Sequence, residues 1–360
     1  MEKLGFLYQI LQVRRLYAKN VWDSLVGIMS KMEQQKRLMG QAPRKNVPFI
    51  RSQLMLLESR RKWGVLYSLA TITGILGIPG ILSGIGEAHI ITFIQQIVLL
   101  PLISLFMATG MYILNDLVDT DLDRLNRKNR PLSSGQVSRR QAWFFIIITN
   151  GVAILLSIIT FNFLAGIISV LMAAIGILYS APKIALMRRF VLKTLSIAIF
   201  YMLCALLGMT SSYSLNLVRH NPTVAVHTII MLGIMIFVSS MLNDLGDVQG
   251  DKLAGRRTIP IVLGSNNAIK LMILLISSMA IIPWIFNRIS DSTSLGTVAS
   301  ISLFGMLVIS MLTKLQGEMK ELDAEIVRKQ HGKLFPLHLV LQSSLIINSL
   351  ISSGELSIHQ

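Results

Sequence analysis

Nine long apolar runs constrain the fold of this 360-residue chain more than any other feature of its sequence. A helix needs roughly 20 apolar residues to cross the hydrocarbon core of a bilayer, and most of these runs approach or exceed that length. The runs do not alternate apolar and polar residues, as the strands of a membrane β-barrel would. We therefore predict an all-α integral membrane protein with about nine transmembrane helices. The predicted spans are residues 64–85, 90–114, 142–160, 162–181, 194–213, 224–243, 268–287, 296–314 and 335–353.

The net charge of +16 is distributed in step with these spans. Basic residues crowd every second loop, namely 115–141, 183–193, 252–257 and 314–333. The loops between them carry few, such as Arg219 and Arg288. The positive-inside rule then predicts a cytoplasmic N-terminus and an outer C-terminus in the cell membrane. Because topology and attraction to anionic lipid account for the basic balance, we expect no nucleic-acid partner and infer no obligate protein partner.

The sequence divides into three parts. Residues 1–62 are polar and basic, with apolar residues at helical spacing, which predicts an interfacial amphipathic extension on the cytoplasmic side. Residues 63–353 form the predicted nine-helix domain, and residues 354–360 form a short tail. The single cysteine, Cys204, lies inside the fifth predicted span and can form no intrachain disulfide.

Two aspartate-rich motifs stand out against this apolar background. Seven of the 18 acidic residues lie in segments 115–123 and 243–251, and both segments follow the pattern N-D-x-x-D-x-x-x-D. Helical geometry places Asn115, Asp119 and Asp123 on one face, and it places the second motif's residues in the same way. Asp121 falls off the common face of the first motif. Carboxylates near a bilayer are costly, so dense clusters of them indicate a functional site.

The motifs also indicate an internal duplication. They begin 128 residues apart, each follows a hydrophobic helix, and each precedes a basic loop. We therefore predict two pseudo-repeated four-helix halves around a central cavity, with the ninth helix appended. The glycines at 74, 77 and 80 would permit close helix packing.

Oxygen-rich faces without cysteine or paired histidine suit hard cations, and Mg²⁺ in particular when a phosphate supplies further ligands. Two such faces could hold Mg²⁺ ions that together bind a diphosphate and neutralise its developing charge as it leaves. An allylic isoprenoid left behind would be a carbocation, and an apolar membrane cavity would protect it from water. His331 and His338 have no third ligand nearby in the sequence, so we predict structural or interfacial roles for them and no zinc site.

These residues resemble the UbiA-type intramembrane prenyltransferases. The resemblance rests on the first motif with its tail, Asn115 to Gly135, and on the second motif with its tail, Asn243 to Pro260. A third element, Tyr179-Ser-Ala-Pro-Lys183, is similar to the family's Tyr-Ser loop but has Lys183 where a second proline is common. The resemblance covers about residues 63–353. It implies a nine-helix fold and Mg²⁺-dependent transfer of a prenyl group.

The resemblance also implies roles for individual residues. Asp119, Asp247 and Lys183 would be catalytic. The expected metal ligands are Asn115, Asp116, Asp119, Asp123, Asp244, Asp247 and Asp251. The expected diphosphate-binding residues are Arg127, Lys128, Arg130, Tyr179 and Lys183. Lys193, at the start of the fifth span, is expected only to extend toward the lipid headgroups.

Two other classes of membrane protein fit the sequence less well. A phosphatidyltransferase signature would begin with D-G and continue with A-R, which this chain lacks. A secondary transporter is a remote alternative. Its acidic residues would lie singly near the bilayer midplane, whereas those of this chain are clustered at one rim beside basic residues. The expected partners are a prenyl diphosphate donor and a membrane acceptor. The second motif resembles that of the family's ether-lipid branch, which implies geranylgeranylglyceryl phosphate as the acceptor, and an aromatic quinone precursor remains the alternative.

Overall fold

The computed structural model describes residues 47–78, 81, 90–126, 128–220, 222–290, 294–318 and 323–358. Within these residues every regular element is a helix. The α-helices are α1 (Phe49–Leu76), α2 (Ile90–Val118), α3 (Thr120–Leu125), α4 (Arg139–Ile159), α5 (Phe163–Ser180), α6 (Phe190–Met209), α7 (Ser212–His220), α8 (Pro222–Gly246), α9 (Val248–Leu253), α10 (Ile259–Leu263), α11 (Ser265–Ser290), α12 (Leu295–Gly317) and α13 (Ala324–Ile358). A single 3-10 turn, Leu186–Arg188, precedes α6.

Eight helices in the described part of the chain are long and apolar enough to cross a membrane, namely α2, α4, α5, α6, α8, α11, α12 and α13. Together with α1, they correspond to the nine spans predicted from the sequence, so the all-α integral membrane fold is confirmed. The first helix begins at Phe49, and it continues through positions 62 and 63, where the sequence predicts a domain boundary. The N-terminal extension up to residue 46 lies outside the described residues.

The predicted halves show the same neighbour order. In the first half α1 packs on α2, α2 on α4, and α4 on α5; in the second, α6 packs on α8, α8 on α11, and α11 on α12. The halves join where α1 meets α6 and where α5 meets α6, and α13 packs against α1, α8 and α12. This arrangement leaves α1, α2, α6, α8 and α13 around the centre of the bundle, where the cavity described below is located.

The contact between α1 and α6 depends on two glycines that face each other's helix. A Cβ atom on Gly74 would lie 2.0 Å from the carbonyl oxygen of Ala205, and one on Gly208 would lie 2.0 Å from that of Thr71. Glycine at both positions therefore lets the two backbones approach within contact distance, as small residues do between membrane helices. The close packing expected for Gly74 is confirmed.

We expect Gly208→Val to destabilise the protein by about 1–3 kcal/mol, since overpacking must push α6 away from α1. The matched control is Gly151→Val on α4, where an added Cβ would meet no atom within 4 Å. Thermal unfolding of both variants in detergent provides the measurement. Equal unfolding temperatures for Gly208→Val and the control would contradict the proposed close crossing.

Candidate active site

Each aspartate motif lies where a long helix ends and a short helix begins. α2 ends at Val118 and α3 starts at Thr120, with Asp119 between them. In the second motif, α8 ends at Gly246 and α9 starts at Val248, with Asp247 between them. The amide of Asp123 still donates to the carbonyl of Asp119 at 2.8 Å, so the spacing of four residues per step survives the break. Each motif therefore turns its polar residues over one end of the bundle.

The two motifs face each other across one cavity of about 230 Å³. The motif residues lining it are Asn115, Asp119 and Asp123 from the first motif, and Asn243, Asp244, Asp247 and Asp251 from the second. The short helices that carry the motifs meet at Gly250, where an added Cβ would lie 1.9 Å from the side-chain oxygen of Asn126. The absence of a side chain at Gly250 is therefore required for this approach.

Six motif carboxylates are buried, each at most 7% exposed. They belong to Asp116, Asp119, Asp123, Asp244, Asp247 and Asp251. Six basic side chains pair with them: Arg60, Lys128, Arg130, Lys193, Arg256 and Arg328. A buried charge without a partner is strongly destabilising, and the equal numbers of the two signs remove that cost.

Two of these ion pairs cross between the halves. Lys128, from the loop after the first motif, binds Asp247 at the centre of the second motif. Arg256, from the loop after the second motif, binds Asp119 at the centre of the first, and it also lies 3.5 Å from Asp251. The loop after each motif therefore supplies a basic side chain to the central aspartate of the other motif.

The outer aspartates of each motif are bridged within their own half. Arg130 lies 2.5 Å from both Asp116 and Asp123. Lys193 lies 2.6 Å from Asp244 and 3.3 Å from Asp251. The first half has an additional cation, because Arg60 on α1 also binds Asp116, with its Nε 2.8 Å from Oδ2.

The first aspartates of the two motifs consequently differ. Asp116 is held by two guanidinium groups and does not line the cavity. Asp244 does line the cavity, and its Oδ2 atom is buried without a hydrogen-bond partner in the described part of the structure. An unsatisfied buried carboxylate oxygen facing a cavity is a ready ligand for a cation or a donor group.

The pKa values of Asp123 and Asp247 are shifted in opposite directions. Burial raises the pKa of Asp123 to about 6, although Arg130 and Lys128 oppose that rise. Burial acts in the same direction on Asp247, but the adjacent Lys128 outweighs it, with help from Lys193 and Arg328, and the pKa lies below the ordinary value. Burial would lower the pKa of Arg130 and Arg256, and their aspartate partners raise it instead. At neutral pH Asp123 and Asp247 are therefore mostly ionised, and Arg130 and Arg256 are fully charged.

Below the charged layer the cavity wall becomes apolar and aromatic. Its deeper lining includes Trp63, Met111, Tyr112, Ile197 and Ile236. His331 of α13 belongs to the same lining. It stacks on Trp63 with ring centroids 5.4 Å apart, and its Nε2 lies 3.3 Å from Ser239 Oγ. The cavity therefore has a polar end at the motifs and an apolar interior.

The structure brings together most of the residues predicted from the sequence. Lys128, Arg130 and Tyr179 line the same cavity as the two motifs. Asp121 points away, as predicted, with its side chain 90% exposed and paired with Arg124. Arg127 lies outside the described residues.

The structure shows the reverse of the positions expected for Lys183 and Lys193. Lys183 is exposed in the loop after α5 and does not line the cavity, because the chain turns outward there before the 3-10 turn. Lys193, expected to extend toward headgroups, is 6% exposed between Asp244 and Asp251. The structure therefore places Lys193, and not Lys183, in the lining of the cavity, and it leaves Asp116 outside that lining.

Sequence reasoning also missed other members of the site. Arg60, Arg256, Arg328 and His331 contact or line it from α1, the second loop and α13. Arg256 had a detectable signal, since it follows the second motif at the same distance at which Lys128 follows the first. Arg60 and Arg328 are distant in sequence from the aspartates they bind, and no local pattern marks them.

The donor chemistry of the cavity fits Mg²⁺, because carboxylate and amide oxygens from both motifs face it and no thiol does. In the described residues no three Asp, Glu, His or Cys side chains converge at metal-binding distance, since each carboxylate is directed at a basic partner. Binding of Mg²⁺ would therefore exchange some of these ion pairs for metal ligation.

Comparison with known proteins identifies the family. Residues 71–328 match the UbiA prenyltransferase family. The chain belongs to this family. With its apolar helices, this UbiA-family chain is a multi-pass membrane protein.

Curated relatives within the family include digeranylgeranylglyceryl phosphate synthases of archaea. The chain is 31% identical to that of Thermococcus gammatolerans over 212 residues, covering 56% of this chain and 67% of the relative. It is 28% identical to that of Methanosphaera stadtmanae over 183 residues, covering 49% of this chain and 62% of the relative. The matched region thus spans less than two thirds of the latter protein.

Solved structures share the fold. A digeranylgeranylglyceryl phosphate synthase structure superposes with a TM-score of 0.59 at 20% identity, covering 84% of this chain and 98% of that one. A UbiA homologue from Archaeoglobus fulgidus bound to GPP and Mg²⁺ superposes with a TM-score of 0.56 at 19% identity, covering 82% and 99%. At this level of identity, the likeness concerns the fold.

The pairing of Lys193 leads to a direct prediction. Lys193→Met should destabilise the protein by about 3–5 kcal/mol, because it leaves two buried carboxylates without their shared cation. Lys183→Met is the matched control, and we expect an effect within about 0.5 kcal/mol because Lys183 is exposed. Thermal unfolding in detergent at neutral pH measures both. A Lys193→Met protein as stable as the control would refute the pairing.

Proposed function

We propose that this UbiA-family protein transfers a polyprenyl group from an allylic prenyl diphosphate to geranylgeranylglyceryl phosphate, with Mg²⁺ as cofactor. The observation that carries the proposal is one cavity whose lining combines the two aspartate motifs and five basic side chains at one end with apolar side chains at the other. The two ends match the two chemical parts of a prenyl diphosphate, which has a highly charged head and a hydrocarbon tail.

The carboxylates facing the cavity would hold the metal. We assign this role to Asp119, Asp123, Asp244, Asp247 and Asp251, with Asn115 and Asn243 as further oxygen donors, because all seven line the cavity. When bound, Mg²⁺ supplies neutralisation of the charge that builds up on the diphosphate as it leaves. The Archaeoglobus fulgidus homologues bound to Mg²⁺ with GPP or DMAPP support this assignment.

The basic residues would bind the diphosphate oxygens directly. Lys128, Arg130, Lys193 and Arg256 are held at the cavity by the aspartates, so their positions are fixed before a substrate arrives. Fixed cations stabilise a developing anion more effectively than flexible ones, because no reorganisation is needed during the reaction. Tyr179 lies in the same lining and can donate its hydroxyl proton to a phosphate oxygen.

The apolar part of the cavity would keep water from the allylic cation. The side chains of Ile197, Ile236 and Met111 provide no hydrogen-bond donors, and Trp63 and Tyr112 present aromatic rings. Aromatic faces attract cations, and exclusion of water prevents the cation from being hydrolysed before the acceptor attacks. After the bond between the allylic carbon and diphosphate has broken, the acceptor hydroxyl oxygen forms the new carbon–oxygen bond to that carbon, and the hydroxyl proton passes to the released diphosphate.

Two considerations support a phosphorylated acceptor. The curated relatives described above are digeranylgeranylglyceryl phosphate synthases. In addition, the six carboxylates and six cations of the site cancel in formal charge. The positive charge of bound Mg²⁺ is therefore available to balance phosphate groups on both substrates. Arg328, whose side chain is 38% exposed at the rim, could receive the acceptor phosphate.

We also propose that the motif end of the bundle faces the cytoplasm. Its short helices and loops contain Arg124, Lys128, Arg130, Lys252 and Arg256, whereas Arg219 and Arg288 belong to the opposite end. The positive-inside rule supports this orientation.

The experiment combines purified protein with Mg²⁺, labelled geranylgeranyl diphosphate, and both geranylgeranylglyceryl phosphate and an aromatic quinone precursor. Product masses then identify the acceptor. A prenylated glyceryl phosphate that disappears on chelation of Mg²⁺ is the expected result. A prenylated aromatic product would overturn the acceptor assignment, and no product from either acceptor in folded protein would overturn the proposed reaction.

Single substitutions in the motifs test the roles of the aspartates. We expect Asp119→Ala and Asp247→Ala each to lower turnover by at least about a hundredfold, because each removes a metal ligand and frees a cation partner. The matched control is Asp121→Ala in the same motif, which should retain activity within about twofold because its side chain is exposed. If either cavity variant keeps the control's rate at saturating Mg²⁺, its assignment as a ligand is wrong.

A further inference from the structure

A closed layer of side chains lies one helical turn below the cavity. The helices around the cavity contribute Trp63, Tyr112, Ile197 and Ile236 to its lining. Four residues deeper on the same helices are Tyr67, Ala108, Tyr201 and Leu232, and all four are 0% exposed. The cavity therefore ends where these residues fill the axis of the bundle.

Two tyrosines form the centre of this layer. The rings of Tyr67 and Tyr201 pack edge to face, with centroids 4.8 Å apart and planes at 87°. Tyr67 comes from α1 and Tyr201 from α6, so the pair spans the junction between the two halves. Edge-to-face packing of buried aromatic rings stabilises such a contact beyond the effect of burial alone.

Hydrogen bonds hold both rings in place. The hydroxyl of Tyr67 lies 3.2 Å from that of Tyr112 on α2. The side-chain amide of Gln342 on α13 donates to the hydroxyl of Tyr201 at 2.9 Å, and Thr73 of α1 donates to Gln342 at 3.3 Å. Because buried hydroxyl groups lose stability when they lose their partners, these bonds oppose movement of either ring out of the axis.

The depth of this layer can be compared with the length of a prenyl chain. Tyr201 is eight residues below Lys193 on α6, which corresponds to about 12 Å at 1.5 Å per residue. An extended isoprene unit has four main-chain carbons and is about 5 Å long at ordinary carbon–carbon bond lengths. About two isoprene units therefore fit between the charged layer and the tyrosines.

We propose that the Tyr67–Tyr201 pair closes the axial path of the cavity, so that the cavity wall contacts only the first two isoprene units of the donor's tail. Longer tails must leave the axis above the pair and gain no further contact with the cavity wall. The inference rests on the proposed prenyl transfer and adds a specificity determinant to it.

The test measures the binding of a donor series that cannot react. The probes are the thiolodiphosphate analogues of dimethylallyl, geranyl, farnesyl and geranylgeranyl diphosphate, bound to full-length protein with Mg²⁺ and followed by calorimetry. For the wild type we expect affinity to rise at least about tenfold from dimethylallyl to geranyl, because a second unit is buried, and to rise less than about threefold from geranyl to farnesyl or to geranylgeranyl.

Two variants move the end of the path in opposite directions. Tyr201→Ala removes one ring and should extend the gain in affinity to the farnesyl analogue. Ile197→Phe fills the cavity one turn above the pair and should reduce the gain from dimethylallyl to geranyl. Tyr201→Phe retains the ring and should keep the wild-type dependence on chain length. Ile197→Phe alters a side chain that faces the cavity, so it tests the proposal even if Tyr201→Ala does not fold.

The outcomes separate this proposal from the proposed function. Affinity that keeps rising with each unit up to geranylgeranyl in the wild type would overturn the closed path. Wild-type chain-length profiles in both Tyr201→Ala and Ile197→Phe would also overturn it. Failure of all four analogues to bind folded protein would instead count against prenyl diphosphate as the substrate.

Discussion

The need to neutralise six buried carboxylates at one end of an apolar bundle determines the arrangement of this structure. Each aspartate is bound by at least one lysine or arginine, and these cations come from α1, α6, α13 and the loops after the two motifs. Supplying them requires the loops to fold back over the bundle, and it brings the middle of α1 and the N-terminal ends of α6 and α13 against the motifs. The same pairing fixes the basic groups that we propose bind the diphosphate, so stability and substrate binding use one set of interactions.

The internal duplication explains both the symmetry and the asymmetry of the site. Asp119 and Asp247 are 128 residues apart, and so are Lys128 and Arg256, the cations that bind them across the cavity. The equivalence fails at the first aspartates. Two arginines form ion pairs with Asp116, whereas Asp244 retains a buried oxygen without a hydrogen-bond donor in the described structure. The second half therefore has a carboxylate oxygen that is available to a metal, whereas the corresponding carboxylate of the first half is already paired with protein side chains.

The sequence was sufficient for the fold class, the approximate positions of the helices, and the two motifs, because hydrophobic length and fixed spacing are local properties. Contacts between distant segments were not predictable in the same way. Arg60 was placed in a separate N-terminal segment, although it lies in the helix that closes the cavity and binds Asp116. Lys183 and Lys193 are equally basic in sequence, and only the turn after α5 and the burial of the start of α6 distinguish them. The Tyr67–Tyr201 layer likewise depends on how α1 and α6 cross.

The central claim is that the two motifs form one site because a basic side chain from each half binds an aspartate of the other half. A double-mutant cycle on Arg256 and Asp119, which are 137 residues apart in sequence, tests it most directly. Unfolding free energies of Arg256→Met, Asp119→Asn and the double variant would be compared with the wild type in detergent. The pairing predicts a coupling energy of about 1 kcal/mol or more, because each single change leaves a buried partner unsatisfied. Effects that add to within about 0.5 kcal/mol would show that the two residues do not interact, and would contradict the shared site.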